Sequence, residues 1–299
     1  RFDTIVPMKQ SIDLSILVLS YNTKDLTLRC LETIYAHPPM NGTYEVLVLD
    51  NQSTDGSAAA VLAAYPQARL YASKQNMGFS KGNNYLARKA HGTSLLLLNS
   101  DIEVMEGSLT KLFACYHVHQ KEVGFMGGKL LNPDKTPQPS CGPFYRLPIV
   151  FGALFLRGDY WGLTRWSPDR FTVVDWVSGA CIITSKQAYN ALKGFDERIF
   201  MYMEEIDLLY RARKSGVLTA ICPQATFIHY GSASSQGRTK PILNVYKGFI
   251  YFYTKHHDAV SLFILKRMLQ LKALGGYVIG LLLGNDYLKK TYGKALRMV

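Results

Sequence analysis

A chain of 299 residues can bury one large core or two smaller ones, and its 48% hydrophobic and 19% charged residues exclude a disordered or fibrous protein. Five scattered cysteines (Cys30, Cys115, Cys141, Cys181, Cys222), with no CxxC or Cys/His spacing, exclude a zinc module and favour reduced thiols in the cytoplasm. The net charge of +12 is lopsided: from Gln236 onward eleven Lys/Arg stand against two acids, so the tail is drawn to anionic partners such as lipid headgroups, nucleic acid or phosphorylated substrates.

Residues 1–13 lack the layout of a signal peptide and read as a loose extension. Leu14 to Asn22 is then a buried first strand with polar residues at its end. Asp25 to His37 has helical spacing and stops at Pro38-Pro39. Tyr44 to Leu49 is a second strand, running into the polar cluster Asp50 to Ser57. A helix over Ala58 to Tyr65, a short strand over Ala68 to Ala72 and a helix ending near His91 follow. The stretch Leu95 to Val104 anchors the chain: four leucines without a polar break form a strand buried on both faces, closing on Asn99, Ser100, Asp101 and Glu103. Alternating strands and helices imply parallel strands with right-handed crossovers. The polar clusters then converge on one edge, where α/β sheets bind ligands. No GxGxxG follows the first strand and no GxxxxGK[ST] occurs, which weakens dinucleotide and P-loop readings.

Each candidate has two readings. Asp101 holds a divalent metal or caps a turn. Asp50 and Asp55 bond a base or ribose, or shape a turn. The Gly78/Gly82 stretch is a ligand loop or a loop needing unusual backbone angles. Val123 to Ser185 is less regular, with Gly127-Gly128 and four prolines up to Pro143 marking a long loop region; its aromatic part, Phe144 to Trp166, reads as a lid, and strand character returns over Trp176 to Ile183. Trp176 stacks on a sugar or fills the core. Glu204, Glu205 and Asp207 fall within four positions after an aromatic and Met run; the cluster makes a base of raised pKa or an acidic helix start. His229, after the strand Ala225 to Ile228, is a metal ligand or structural.

The motifs LSYN (19–22), DNQSTDGS (50–57), QNMGFSKGNN (75–84), LLNSDIEV (97–104), WVSGAC (176–181), GFDERIFMYMEEIDLLYRARKSG (194–216) and IHYGS (228–232), in this order, resemble the inverting family 2 glycosyltransferases of the rhamnosyltransferase-like subgroup. The resemblance spans Leu14 to Ser232 and implies the GT-A fold, an α/β nucleotide-diphospho-sugar sandwich with a mostly parallel central sheet, over residues 14–235. It implies Ser20 and Asn22 near the nucleotide, Asp50 on the base and Asn76 near the donor. Lys81, Asn99, Trp176, Glu204 and Arg211 join them as candidate substrate-binding residues. Asn99-Ser100-Asp101 occupies the DxD position, with Asp101 and His229 holding Mg²⁺ or Mn²⁺. Glu205 stands at the catalytic base, where the family usually has the Asp of an ED pair. The implied reaction moves a sugar, with dTDP-rhamnose as one donor, to a hydroxyl of a glycan or polyprenyl-diphosphate-linked saccharide in cell-surface polysaccharide synthesis. A nucleotidyltransferase on a similar sheet would want a Gly-rich basic loop after the first strand. A nucleic-acid binder would leave the carboxylates unexplained, so no nucleic-acid partner is expected.

Past Ser235, Ile242 to His257 and Val260 to Leu274 read as helices, and Tyr277 to Leu283 is apolar. The uncharged run Ala273 to Gly284 is too short to span a bilayer. Residues 236–299 read as a basic amphipathic pair lying on an anionic membrane, or as a cap on the core. The first reading puts the enzyme peripherally on the cytoplasmic face of the cell membrane. Self-association into a homo-oligomer is left open.

Overall fold

The computed structural model describes residues 11–40, 42–231 and 239–299. Most of the expected extension (residues 1–10), the expected boundary at residue 235 and Ser232 of the last motif lie outside the described residues. The first half follows the expected alternation: β1 (Leu14–Ser20), α1 (Lys24–Ala36), β2 (Tyr44–Asp50), α2 (Ser57–Ala64), β3 (Arg69–Ala72), α3 (Gly78–Lys89) and β4 (Ser94–Asn99). Then come β5 (Ile102–Val104), α4 (Ser108–His119), β6 (Val123–Leu131), β7 (Cys141–Gly142), α5 (Leu147–Phe155), β8 (Thr172–Val174), β9 (Trp176–Val177), β10 (Cys181–Ser185), α6 (Lys186–Ala191), α7 (Glu204–Lys214) and β11 (Leu218–His229). Three helices close the chain: α8 (Thr239–His256), α9 (Ala259–Leu282) and α10 (Asp286–Leu296).

The described residues form a nine-stranded sheet in the order β3-β2-β1-β4-β10-β6-β11-β5, with β8 also paired to β11. β1 to β4 are mutually parallel, and β6 and β11 run with each other. β10 runs against its neighbours β4 and β6, and β5 and β8 run against β11. Small β7 and β9 form a separate pair. The leucine run works as period-two alternation dictates. Leu95 and Leu97 enter the core on one face, and Leu96 and Leu98 enter the core on the other. β1 divides likewise, Leu17 facing one core and Ile16 and Val18 the other.

The leucine strand ends where its polar residues begin: β4 stops at Asn99, and a separate strand, β5, turns away to pair with β11. Asp101 therefore sits in the corner between two strands, and its backbone carbonyl accepts from Tyr230 N–H at 3.0 Å. The region expected to be irregular, Val123 to Ser185, holds β6 to β10 and α5, a correction to that reading. β6 runs straight through Gly127, where a Cβ would stand 2.8 Å from Val177 Cβ; the glycine permits close packing rather than marking a loop. Proline in the first turn of α5 suits a helix start, where its missing N–H costs nothing. Finally, the tail is three helices, α9 continuing through Leu282. Tyr246, Phe249, Phe252 and Tyr253 of α8, with Leu265 and Leu269 of α9, share a core with Leu97, Phe125 and Leu209. The inner face of the tail is a cap on the sheet domain.

Candidate active site

The loops after β1, β2 and β4 and the end of β11 meet at one edge of the sheet. Thr23 and Ser100 hydroxyls, 3.0 Å apart, tie the loop after β1 to the loop after β4. Ser20 is buried and its hydroxyl lies 2.8 Å from that of Thr27, so it braces the loop. Asn22 sits in the left-handed region at φ 51°, its Oδ1 accepting from Thr54 N–H at 2.7 Å. Asp55 is a turn former: its carboxylate accepts from Lys24 N–H at 2.9 Å and Ser57 N–H at 3.0 Å.

Asp50 is different. It is buried, Oδ2 accepts from Ser53 N–H at 3.1 Å, and Oδ1 has no partner. A buried carboxylate oxygen without a donor is costly, and the N–H of a bound base would relieve it. Asn76 is spent on the loop, its Oδ1 accepting from Asn51 Nδ2 at 3.0 Å and Gly78 N–H at 2.9 Å. Lys81 is exposed on α3 and makes no ion pair among the described residues. Asn99 is half-buried, and its N–H donates to Ala180 O at 3.0 Å.

Asp101 and His229 come together at the ends of β4 and β11, with Oδ1 and Nε2 3.4 Å apart. Gln138 orients the imidazole. Its Oε1 lies 2.7 Å from His229 Nδ1, while its Nε2 donates to His229 O at 3.1 Å and Asn132 Oδ1 at 3.0 Å. Those two donations fix the amide, so Nδ1 carries the hydrogen and the Nε2 lone pair faces Asp101. This is the arrangement in which a neutral histidine ligates a metal. A hard carboxylate oxygen beside an imidazole suits Mg²⁺ or Mn²⁺ with further oxygen ligands from a diphosphate or water. Among the described residues no third His, Cys, Asp or Glu joins them.

Glu204 and Glu205 open α7. Tyr202 and Met203 before them have φ of 71° and 75°, a strained pair for non-glycine residues. The turn aims both carboxyls inward: each glutamate has a buried Oε2 without a partner. Burial, and then repulsion from Glu205, pushes the Glu204 carboxyl well above its ordinary value. Burial raises Glu205 too, against the pull of nearby backbone amides and the Arg165 guanidinium. Burial pushes the Tyr202 phenol up, and the charges of Glu204, Glu205 and Asp101 add to it. A Cβ at Gly179 would stand 3.7 Å from Glu205 Cβ, and the carbonyl of the next residue, Ala180, accepts from Asn99 N–H, so the start of α7 and the corner that carries Asp101 border one space.

Asp207 is fully buried and serves structure. Burial alone would raise it, but His256, Lys255 and Arg211 hold it below the usual carboxylate range. Lys255 Nζ and His256 Nε2 both lie 2.7 Å from its Oδ1. This clamp fastens α8 to α7. Two expected substrate contacts do not survive. Arg211 spends its guanidinium on Asp207 Oδ2 (2.8 Å), Gly194 O (2.7 Å) and Leu192 O. Trp176 is a core residue, 2% exposed, its indole N–H donating to Pro143 O at 2.8 Å. Gln138, Asn51, Arg165 and Lys255 carried no signal of their own, because they act through partners distant in sequence.

The family model described as Glycosyl transferase family 2 matches residues 15–154. An N-acetylglucosaminyl-diphospho-decaprenol L-rhamnosyltransferase of Mycobacterium tuberculosis is 31% identical over 212 residues, 64% of this chain and 68% of that protein. Rhamnosyltransferase WbbL of Escherichia coli is 26% identical over 225 residues, 72% of this chain and 82% of its own. Among solved structures, the mannosyltransferase PcManGT of Pyrobaculum calidifontis with GDP-Man and Mn²⁺ superposes at TM-score 0.56 and 16% identity, over 98% of this chain and 78% of that one. The α/β sheet, its loop-lined edge and these likenesses agree: the chain belongs to the family 2 glycosyltransferases and has the GT-A fold.

Proposed function

We propose that this glycosyltransferase moves rhamnose from dTDP-rhamnose, with inversion, to a hydroxyl of a polyprenyl-diphosphate-linked saccharide in cell-surface polysaccharide synthesis. The observation that carries the reading is the convergence of unpartnered Asp50, the Asp101–His229 pair and the buried Glu204–Glu205 carboxyls on one sheet edge. The sugar and the acceptor are supported by the relatives: two are rhamnosyltransferases, and one of those is an N-acetylglucosaminyl-diphospho-decaprenol L-rhamnosyltransferase.

Asp50 meets the base of the nucleotide. Asp101 and His229 would hold Mg²⁺ or Mn²⁺, which when bound neutralises charge developing on the departing diphosphate. Glu205, unpartnered and raised by burial, takes the proton of the acceptor hydroxyl as that oxygen attacks the anomeric carbon. One base on the face opposite the leaving group gives inversion. Glu204, raised further, stays protonated beside it and spares Glu205 a second negative charge.

We also infer peripheral attachment to the cytoplasmic face of the membrane. No helix among the described residues is long and apolar enough to cross one. Yet α9 exposes Val260, Ile264, Leu271, Leu274, Val278 and Leu282 along one stripe, beside Lys266, Arg267 and Lys272.

The test is a screen of nucleotide sugars with Mg²⁺ or Mn²⁺ and a lipid-linked N-acetylglucosaminyl diphosphate, following nucleoside diphosphate release. Release from dTDP-rhamnose, abolished by EDTA and reduced about 100-fold or more in Glu205→Gln, is expected. Release that survives EDTA or the Glu205→Gln change would overturn the mechanism, and turnover of a different sugar would overturn the donor.

A further inference from the structure

Between the aromatic turn after α5 and the base lies a cation that the transfer mechanism has not used. Arg165 is exposed and makes no ion pair among the described residues. Its placement is nevertheless fixed. The guanidinium lies 5.4 Å from the ring centroid of Trp176, and Nε donates to Tyr145 Oη at 3.4 Å. Tyr145 stacks on Trp176 at 5.9 Å, and its backbone carbonyl accepts from Tyr253 Oη of α8 at 2.8 Å. The platform is therefore built from three elements, and only the cation rests on the solvent side. Trp176 leads through β9 to Gly179, where a Cβ would stand 3.7 Å from Glu205 Cβ. Arg165 is thus on the side of the base. Just before it, Tyr160, Trp161 and Leu163 are 77%, 67% and 56% exposed, an apolar knob.

We propose that Arg165 binds the diphosphate of the lipid-linked acceptor, with Tyr160, Trp161 and Leu163 holding the start of its prenyl chain. The inference rests on the transfer reaction above. Inversion puts the acceptor and the leaving diphosphate on opposite sides of the sugar. The leaving diphosphate belongs to the Asp101–His229 side, so a cation beside Glu205 meets the acceptor. A guanidinium held on an aromatic face offers paired N–H donors to phosphate oxygens. An apolar knob next to it matches a ligand whose charged head is joined to a hydrocarbon chain.

The test compares full-length wild type, Arg165→Gln and Arg165→Lys on two acceptors: N-acetylglucosaminyl diphosphate on a short prenyl chain, and a neutral alkyl N-acetylglucosaminide. Arg165→Gln raises KM for the diphosphate acceptor at least about tenfold, leaves the KM for the donor and for the neutral acceptor unchanged, and Arg165→Lys recovers part of the loss. A rise in donor KM instead would assign Arg165 to the departing nucleotide. An equal fall in kcat on both acceptors would make it a tuner of Glu205 alone. Either result overturns the proposal. Binding of a sugar-free prenyl diphosphate is read separately by thermal shift; it weakens in Arg165→Gln and in Trp161→Ser while stabilisation by dTDP is kept. That arm reports on Arg165 even if the assigned donor is wrong, and unchanged prenyl diphosphate binding in Arg165→Gln would also overturn the assignment.

Discussion

Consecutive glutamates that both bury an unpartnered oxygen are a stability liability, and the liability has a sign. The folded-state value of Glu204 lies above its unfolded value, so its favourable contribution is complete at pH below the unfolded value and is lost as pH rises through the folded one. At neutral pH the wild type therefore bears a cost that Glu204→Gln removes. The variant should melt a few degrees higher at pH 8, on the order of 1–3 kcal/mol, and the difference should vanish near pH 4, measured by calorimetry across pH. A variant less stable at pH 8 would mean that Glu204 finds a partner that the structure does not show. Catalysis responds to the same field. Because Glu205 is raised by burial, the acid limb of kcat/KM should fall at a higher pH than an ordinary glutamate gives. In Glu204→Gln, which is neutral as the protonated Glu204 is, that limb should stay where it is in the wild type.

At the scale of elements, the start of α7 depends on α8. A Cβ at Gly248 would lie 2.7 Å from Met203 Cγ and 2.9 Å from Tyr202 O, so α8 lies directly against the strained turn that presents the glutamates. Gly248→Val should push that turn aside and lower kcat by about 100-fold, while nucleoside diphosphate binding, which uses the other side of the site, stays within twofold. Equal losses in both would show a general unfolding instead. Asp207→Asn should loosen the same joint, costing about 3 kcal/mol or more because Lys255, His256 and Arg211 would lose their shared anion. These couplings explain what was and was not legible in the sequence. β1 to β4 and their helices follow local periodicity, and the clusters Asp50, Asn99 to Asp101 and Glu204-Glu205 stand at element ends where motifs are dense. Gly248, Gln138 and the Asp207 clamp are pairings across 45 to 91 positions, which no local pattern encodes. Trp176 and Arg211 misled because aromatic and cationic residues within motifs look like ligand contacts, whereas here Trp176 is held in the core by Pro143 O and Arg211 ties α7 to the turn at Gly194.

At the scale of the whole molecule, the two faces of α9 have different partners. Leu265, Leu269 and Ala273 are fully buried against the core, while Leu271 and Leu282 stand 61% and 80% exposed on the outer stripe. A helix apolar on both faces needs a second apolar medium. Another copy of the chain is a poor candidate, because α9 contains Lys266, Arg267 and Lys272 and no acid to meet them. An anionic bilayer satisfies both requirements: acyl chains receive the leucines and headgroups receive the cations, each worth about 1 kcal/mol near a charged surface. The chain should cosediment with vesicles containing phosphatidylglycerol, lose most of that binding in high salt, and bind neutral vesicles weakly. Replacing Leu271 and Leu282 with Asp should abolish sedimentation and leave turnover of a short, water-soluble acceptor unchanged. Turnover of a full-length polyprenyl acceptor in vesicles should fall steeply, since only that substrate must be met at the surface. Retention of vesicle binding in the double variant, or a concentration-dependent dimer abolished by it, would instead assign the stripe to a protein partner.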